Sequence, residues 1–247
     1  MSDHHVGYAL FQVAVTHTSE LILDFVVARA GEGLINRKQI QHSRAGSLEI
    51  DGRVGDGDHG INMAKGFGMA ASKLAADRQS GAAVSFSNGL AAIGGILLTE
   101  IGGAMGPLYG TFFRAMARAS KDAAEIDAAV FESMLVKARE GVVGLGNAKV
   151  GDKTMLDTLA PAVEAFSTSR VSGPGFADSL CDMMKAAEEG KESTRDLVAK
   201  VGRSSRLGER SRGILDAGAV SCWLILTAMG TGIIDLLGSP RACADAS

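Results

Sequence analysis

The chain has 247 residues, with 25 Lys and Arg against 28 Asp and Glu, so its net charge of -3 offers no basic field to nucleic acid. With 46% hydrophobic residues it is long enough to bury a full core as one large domain. Cys181, Cys222 and Cys243 form neither a CxxC pair nor an even framework, and residues 1–5 lack a basic, apolar signal start, so a reduced cytoplasmic protein is expected.

Few prolines, few aromatics and long Ala/Leu/Met-rich segments predict helices, with residues 1–18 as an N-terminal extension, 19–238 as the helical domain and 239–247 as a tail. Helical segments are expected over 7–30, 61–77, 86–100 and 107–120. Another follows Ser120, where Asp122 and Glu125 have capping-box spacing and Ile126, Val130, Phe131, Met134, Leu135, Ala138 and Val142 recur at three and four. A further helix is expected over 153–168. From Pro174, the stripe Phe176, Leu180, Met183, Met184 and Ala187 predicts one more, with Gly190 as its stop. Segments over 192–203 and 217–237 complete an all-α domain of eight or nine helices. Residues 217–234 carry no formal charge, the lower edge of a membrane-spanning length. Asp216 and Asp235 bracket that stretch, and Gly218, Ser221, Thr227, Gly230 and Gly232 dilute it, so it reads as a core helix without membrane insertion.

The chemistry concentrates in Gly55-Asp56-Gly57-Asp58-His59-Gly60, with Asp51 upstream. Asp51, Asp56 and Asp58 are hard oxygen ligands suited to magnesium or calcium, and like charges held this close call for a cation. The glycines spell GxGxxG, but the following residues read as helix where a dinucleotide fold needs a strand. An EF-hand is excluded because Phe67 occupies the twelfth position, and no Walker A sequence occurs. What remains is a carboxylate loop entering a helix at Gly60, Ile61 and Asn62, whose free N–H groups favour phosphate. Metal on the carboxylate side and phosphate on the helix side make a metal–polyphosphate site. A bare acidic turn capping a helix is the competing reading.

This segment resembles the signature of the nucleotide-binding L subunits and L domains of dihydroxyacetone kinases. Three further segments resemble that family in order: Gly102-Gly103-Ala104-Met105-Gly106-Pro107-Leu108-Tyr109-Gly110-Thr111, Gly151-Asp152-Lys153-Thr154-Met155-Leu156-Asp157, and Gly202-Arg203-Ser204-Ser205-Arg206-Leu207-Gly208-Glu209-Arg210-Ser211 followed by Asp216-Ala217-Gly218-Ala219. The resemblance implies an antiparallel barrel of eight helices with a nucleotide, ADP or ATP, at one end. It implies that Asp51, Asp56 and Asp58 hold two magnesium ions and that His59, Gly60, Ile61 and Asn62 receive the phosphates. Ala104, Met105, Gly146, Met155, Arg203, Leu215, Asp216 and Ala217 would line the rest of the pocket, with Arg203 also catalytic. Read alone, Arg203 among Arg206, Arg210 and Arg212 is equally a solvated basic turn, and Asp152 and Lys153 are a simple ion pair. Met105 replaces a common small hydroxyl residue, Ala217 a common proline, and Glu100 adds a charge before the second motif.

The function implied is phosphoryl transfer to a short-chain ketose such as dihydroxyacetone or erythrulose, held on a separate K subunit. A phosphohistidine subunit of the phosphotransferase system would recharge bound ADP, or ATP would exchange each cycle; homodimerisation stays open. The alternatives are a non-catalytic nucleotide sensor that binds a transcription factor, and the nucleotide domain of a fatty-acid kinase. The latter usually carries Thr at the position of His59 and belongs to longer chains.

Overall fold

The computed structural model describes residues 59–81, 85–173 and 175–238. The segment expected as helix over 7–30, the extension, the tail, and Asp51, Asp56 and Asp58 lie outside the described residues. Among those described, every regular element is helical. Helix α1 spans His59–Gln79, α2 Phe86–Glu100, α3 Met105–Ala119, α4 Ala128–Gly144, α5 Leu156–Ser172, α6 Phe176–Ser193 and α7 Ala217–Leu236. A 3-10 helix, Arg203–Ser211, lies between α6 and α7.

Capping groups account for several starts. Ser85 Oγ accepts Asn88 N–H at 3.2 Å before α2, and Asp216 Oδ2 accepts Ala219 N–H at 2.8 Å before α7. The α4 cap is Asp127, whose carboxylate accepts Val130 N–H at 2.8 Å, and not the expected Asp122. Residues 120–127 are used to reverse the chain after α3, so the capping-box spacing there has no helix to cap.

Two expectations around α6 are corrected. The helix continues through Gly190 to Ser193. Gly190 is a contact and not a stop: a Cβ there would lie 2.3 Å from Asp157 O and 3.0 Å from Pro161 Cγ. Pro161, inside α5, has no N–H for Asp157 O four residues back, and Gly190 packs against that carbonyl. The helix expected over 192–203 does not form. Its carbonyls at Thr194 and Leu197 accept from the Lys153 ammonium, and the segment breaks into turns ending at Gly202 with φ 72°.

Successive helices pack side by side. Gly94 on α2 meets Gly110 on α3, where a Cβ on either would come within 3.0 Å of the other's carbonyl, while Leu97 meets Gly106, so the two helices run antiparallel. Phe131, Phe166 and Phe176 join α4, α5 and α6, with ring centres 5.3 to 6.1 Å apart. Phe67, Phe113, Phe112 and Tyr109 tie α1 to α3 at 5.1 to 6.4 Å. Burying each such ring contributes about 1.5–3 kcal/mol. Helix α7 is apolar enough to cross a membrane, but 61% of its apolar window is buried, as a core helix requires. Cys222 is a buried free thiol.

Candidate functional site

The starts of α1, α3, α5 and α7, the end of α4 and the residues before the 3-10 helix enclose a cavity of about 490 Å³. Each wall comes from a different stretch of chain. His59 and Asn62 come from the first turns of α1, Ala104 and Met105 from the α2–α3 connection, and Gly146 from the loop after α4. Met155 precedes α5, Arg203 opens the 3-10 helix, and Asp216 and Ala217 open α7. Of the residues expected in the pocket, Gly60 lies in the first turn of α1 and Leu215 beside Asp216, outside the lining, while Ile61 follows Gly60 in the same turn.

Met105, Leu108, Val142, Leu145, Met155 and Leu156 give the cavity an apolar lining, to which His59, Asn62, Thr154, Arg203 and Asp216 add polar groups. Arg203 lies against Gly103, whose φ of 72° only glycine adopts readily, and a Cβ there would sit 3.1 Å from Arg203 Nη2. Glycine at 103 therefore serves both the turn and the guanidinium.

Behind the His59 ring, Nε2 lies 2.9 Å from Ser221 Oγ, which is 2.6 Å from the Tyr109 hydroxyl. Tyr109 OH donates to Gly218 O at 2.9 Å. Burial pushes the Tyr109 hydroxyl above its ordinary range, with Cys222 adding to the shift, so it stays a neutral donor. This chain of contacts fastens α1, α3 and α7 to one another at the cavity.

The floor is a polar junction. Asp157, buried at the start of α5, accepts Gly151 N–H at 2.5 Å and Thr154 N–H at 2.7 Å, closing the loop between them. Lys153 does not pair with Asp152, contrary to expectation. Its ammonium donates to Thr194 O at 2.6 Å, Leu197 O at 3.1 Å and Ile214 O at 2.5 Å, while Asp152 accepts Lys149 N–H and faces Lys200 Nζ at 3.5 Å. The Lys153 backbone is left-handed, with φ 63°, and its side chain is buried. Burial lowers the Lys153 pKa, against the opposing pull of Asp216. Asp216 is pushed up to about 6, by burial first; Asp157 adds to the shift, and the Ala219 and Gly218 amides and Lys153 oppose it.

Tyr109, Lys153, Thr154 and Gly218 also line the cavity. All four stand within the quoted motifs, but Tyr109, Lys153 and Gly218 have partners far along the chain, whereas Thr154 bonds locally to Leu156 and Asp157. Among the described residues no group of three His, Cys, Asp or Glu side chains could hold a metal. The candidate metal ligands read from the sequence, Asp51, Asp56 and Asp58, lie outside the described residues.

The DAK2 domain family matches residues 53–231. An ADP-binding subunit DhaL of a PEP-dependent dihydroxyacetone kinase from Listeria innocua is 36% identical over 72% of this chain and 81% of its own length. The corresponding subunit from Escherichia coli is 36% identical over 72% of this chain and 82% of its own. The native crystal structure of the dihydroxyacetone kinase of C. freundii aligns with a TM-score of 0.56 and 23% identity, over 89% of this chain and 34% of that one. At that identity the likeness speaks for the helical fold, and this chain spans about a third of the kinase's length. By the extent of these matches, this chain belongs to the DAK2 domain family, that of the L subunits and L domains of dihydroxyacetone kinases.

Proposed function

We propose that this chain is the nucleotide-binding subunit of a short-chain ketose kinase, a cytoplasmic phosphotransferase that acts with a partner carrying the sugar. The observation that carries this reading is the cavity: segments from all four family motifs, dispersed over about 160 residues, line one enclosure with both apolar and polar groups. The apolar lining suits a nucleobase. The start of α1 presents backbone N–H groups at the positive end of its helix dipole, and Arg203 a planar fork of donors, both suited to phosphate oxygens.

The division of labour follows. His59, Gly60, Ile61 and Asn62 receive the phosphates, with Ser221 and Tyr109 fixing the His59 ring. Arg203 approaches the transferring phosphoryl and stabilises charge as it develops. Ala104, Met105, Gly146, Met155, Leu215, Asp216 and Ala217 shape the remainder. Asp51, Asp56 and Asp58 supply the hard oxygen donors to hold two magnesium ions, whose chemistry when bound is neutralisation of phosphate charge.

The residues from 19 to 238 form the helical domain, and the family barrel is its proposed closure. A relative from Lactococcus lactis, 33% identical over 76% of this chain, is named a PTS-dependent kinase's ADP-binding subunit. Names of this kind support ADP as the retained nucleotide here, recharged by a phosphohistidine protein, with a ketose-binding K subunit as acceptor. They support this over the sensor and fatty-acid-kinase readings.

Heat extraction and mass spectrometry of the purified protein test the nucleotide, with about one ADP per chain expected for a retained coenzyme. Reconstitution with a K subunit, dihydroxyacetone or erythrulose, and each donor tests the reaction. Failure to phosphorylate either sugar with any donor overturns the kinase reading.

A further inference from the structure

Lys153 combines features that seldom meet in one residue. Among the described residues it is the non-glycine position with positive φ, at 63°. It is 2% exposed although it carries a charge. All three ammonium protons are used, on the carbonyls of Thr194, Leu197 and Ile214. No carboxylate takes any of them, so the arrangement is not an ordinary buried ion pair.

The three carbonyls belong to two segments distant from Lys153 in sequence, the turn at 194–197 and the stretch before α7, and each leads directly into the cavity wall. The turn at Thr194 and Leu197 runs on to Val201 and Arg203; Ile214 stands two residues before Asp216; Lys153 itself is followed by Thr154 and Met155. The same segments are sewn together again around the ammonium. Asp216 N–H donates to Thr194 Oγ1 at 3.0 Å, Lys200 N–H to Asp152 O at 3.1 Å, and Lys200 Nζ to Gly151 O at 2.8 Å. A left-handed backbone and a buried charge are both unfavourable alone, and such conformations persist where the surroundings require them, commonly at functional sites.

We propose that Lys153 is the positioning residue of the nucleotide site: by tying its own loop to carbonyls of two other segments, its ammonium sets Met155, Arg203 and Asp216 relative to one another before the ligand arrives. The proposal rests on the nucleotide reading of the cavity. Lys153 itself spends its donors on the protein, so it acts through these residues and not on the phosphates. A site assembled in advance binds without the cost of ordering its walls.

Two variants test it. Lys153→Gly accepts the positive φ and leaves a vacancy shaped for a small alkylammonium ion; Lys153→Met keeps most of the volume and removes the charge. Titration calorimetry with Mg-ADP, well below the melting temperature of each protein, is the readout, with n-butylammonium or n-butanol added to the glycine variant. The expected result is an affinity about tenfold weaker in both variants, partly restored in Lys153→Gly by butylammonium and not by butanol. A lysine that serves stability alone lowers the melting temperature and leaves the affinity of the folded protein unchanged. Wild-type binding together with binding within about twofold in both variants therefore overturns the positioning role and leaves the nucleotide reading intact. Weakened binding that butylammonium fails to restore also overturns it, since packing then accounts for the loss. A wild-type protein that binds neither Mg-ADP nor Mg-ATP removes the nucleotide reading itself, and the proposal with it.

Discussion

Asp216 does two jobs whose demands conflict: it caps α7 and it lines the cavity. Its carboxyl is pushed up to about 6 from an unfolded value of 3.8, chiefly by burial. A raised acid favours the folded state where it is protonated. The benefit is complete below about pH 4, declines as pH rises towards 6, and is absent at neutral pH. Asp216→Asn can keep the cap while removing the buried charge. It is expected to be more stable than wild type by about 1–2 kcal/mol at pH 7.5, with the difference vanishing near pH 4. Urea denaturation at the two pH values checks this, and a pH-independent difference rejects it. Asp56→Ala is expected to abolish Mg-ADP binding while circular dichroism and melting stay near wild type; retained tight binding in calorimetry removes Asp56 from the proposed ligand set. His59 and Arg203 could be singled out in the sequence because they stand inside recognisable motifs. The roles of Lys153 and Tyr109 could not, because their partners are backbone carbonyls and a serine hydroxyl about 40 to 110 residues away, and a sequence does not show which carbonyls are left to accept.

Helices here are positioned by small residues at their crossings. Gly94 and Gly110 let α2 and α3 approach until carbonyl meets backbone, and a Cβ on Gly94 would lie 2.9 Å from Arg114 N and Gly110 O. Gly94→Val is expected to cost about 1–3 kcal/mol in chemical denaturation, through overpacking against a backbone that cannot yield. Gly103→Ala acts differently, since its connection is exposed and its constraint is a left-handed φ with Arg203 alongside. It is expected to lose about 1 kcal/mol of stability and, in addition, Mg-ADP affinity as the guanidinium shifts. A stability loss with unchanged affinity would detach Arg203 from the proposed phosphate site. At this scale the sequence was informative where local signals act alone: α2 runs over 86–100 as expected, and α7 starts at residue 217 behind its Asp216 cap. It misled where tertiary contacts decide. Gly190 looks like a stop because sequence cannot reveal the α5 carbonyl it packs against. The 192–203 segment has helical composition, but its carbonyls turn to a distant lysine.

The molecule as a whole gathers its functional segments at helix starts and in connections, while the Phe131, Phe166 and Phe176 cluster lies away from the cavity, along the α4–α5–α6 interface. A ligand that bridges so many segments stabilises the entire fold by mass action. Mg-ADP at a hundred times its dissociation constant is expected to add about 2.7 kcal/mol, which raises the melting temperature by about 5–10 °C, and excess EDTA should reverse the gain. Scanning calorimetry with and without EDTA measures this; an unchanged melting temperature excludes magnesium-dependent binding. The all-helical class was readable from composition and period because a helical core needs little else. The cavity was readable only through motif order, since its walls meet by folding alone. One feature of the core has a practical use. The chain's single tryptophan, Trp223, lies on α7 about two turns beyond Asp216, with Lys191 Nζ 3.8 Å from its ring centre and Glu188 and Glu192 holding that cation. The protein thus contains its own fluorophore, beside a charge and on the helix whose first turn lines the cavity. Occupancy that shifts α7 against α6 will change the indole spectrum, so site filling can be followed optically in unlabelled protein.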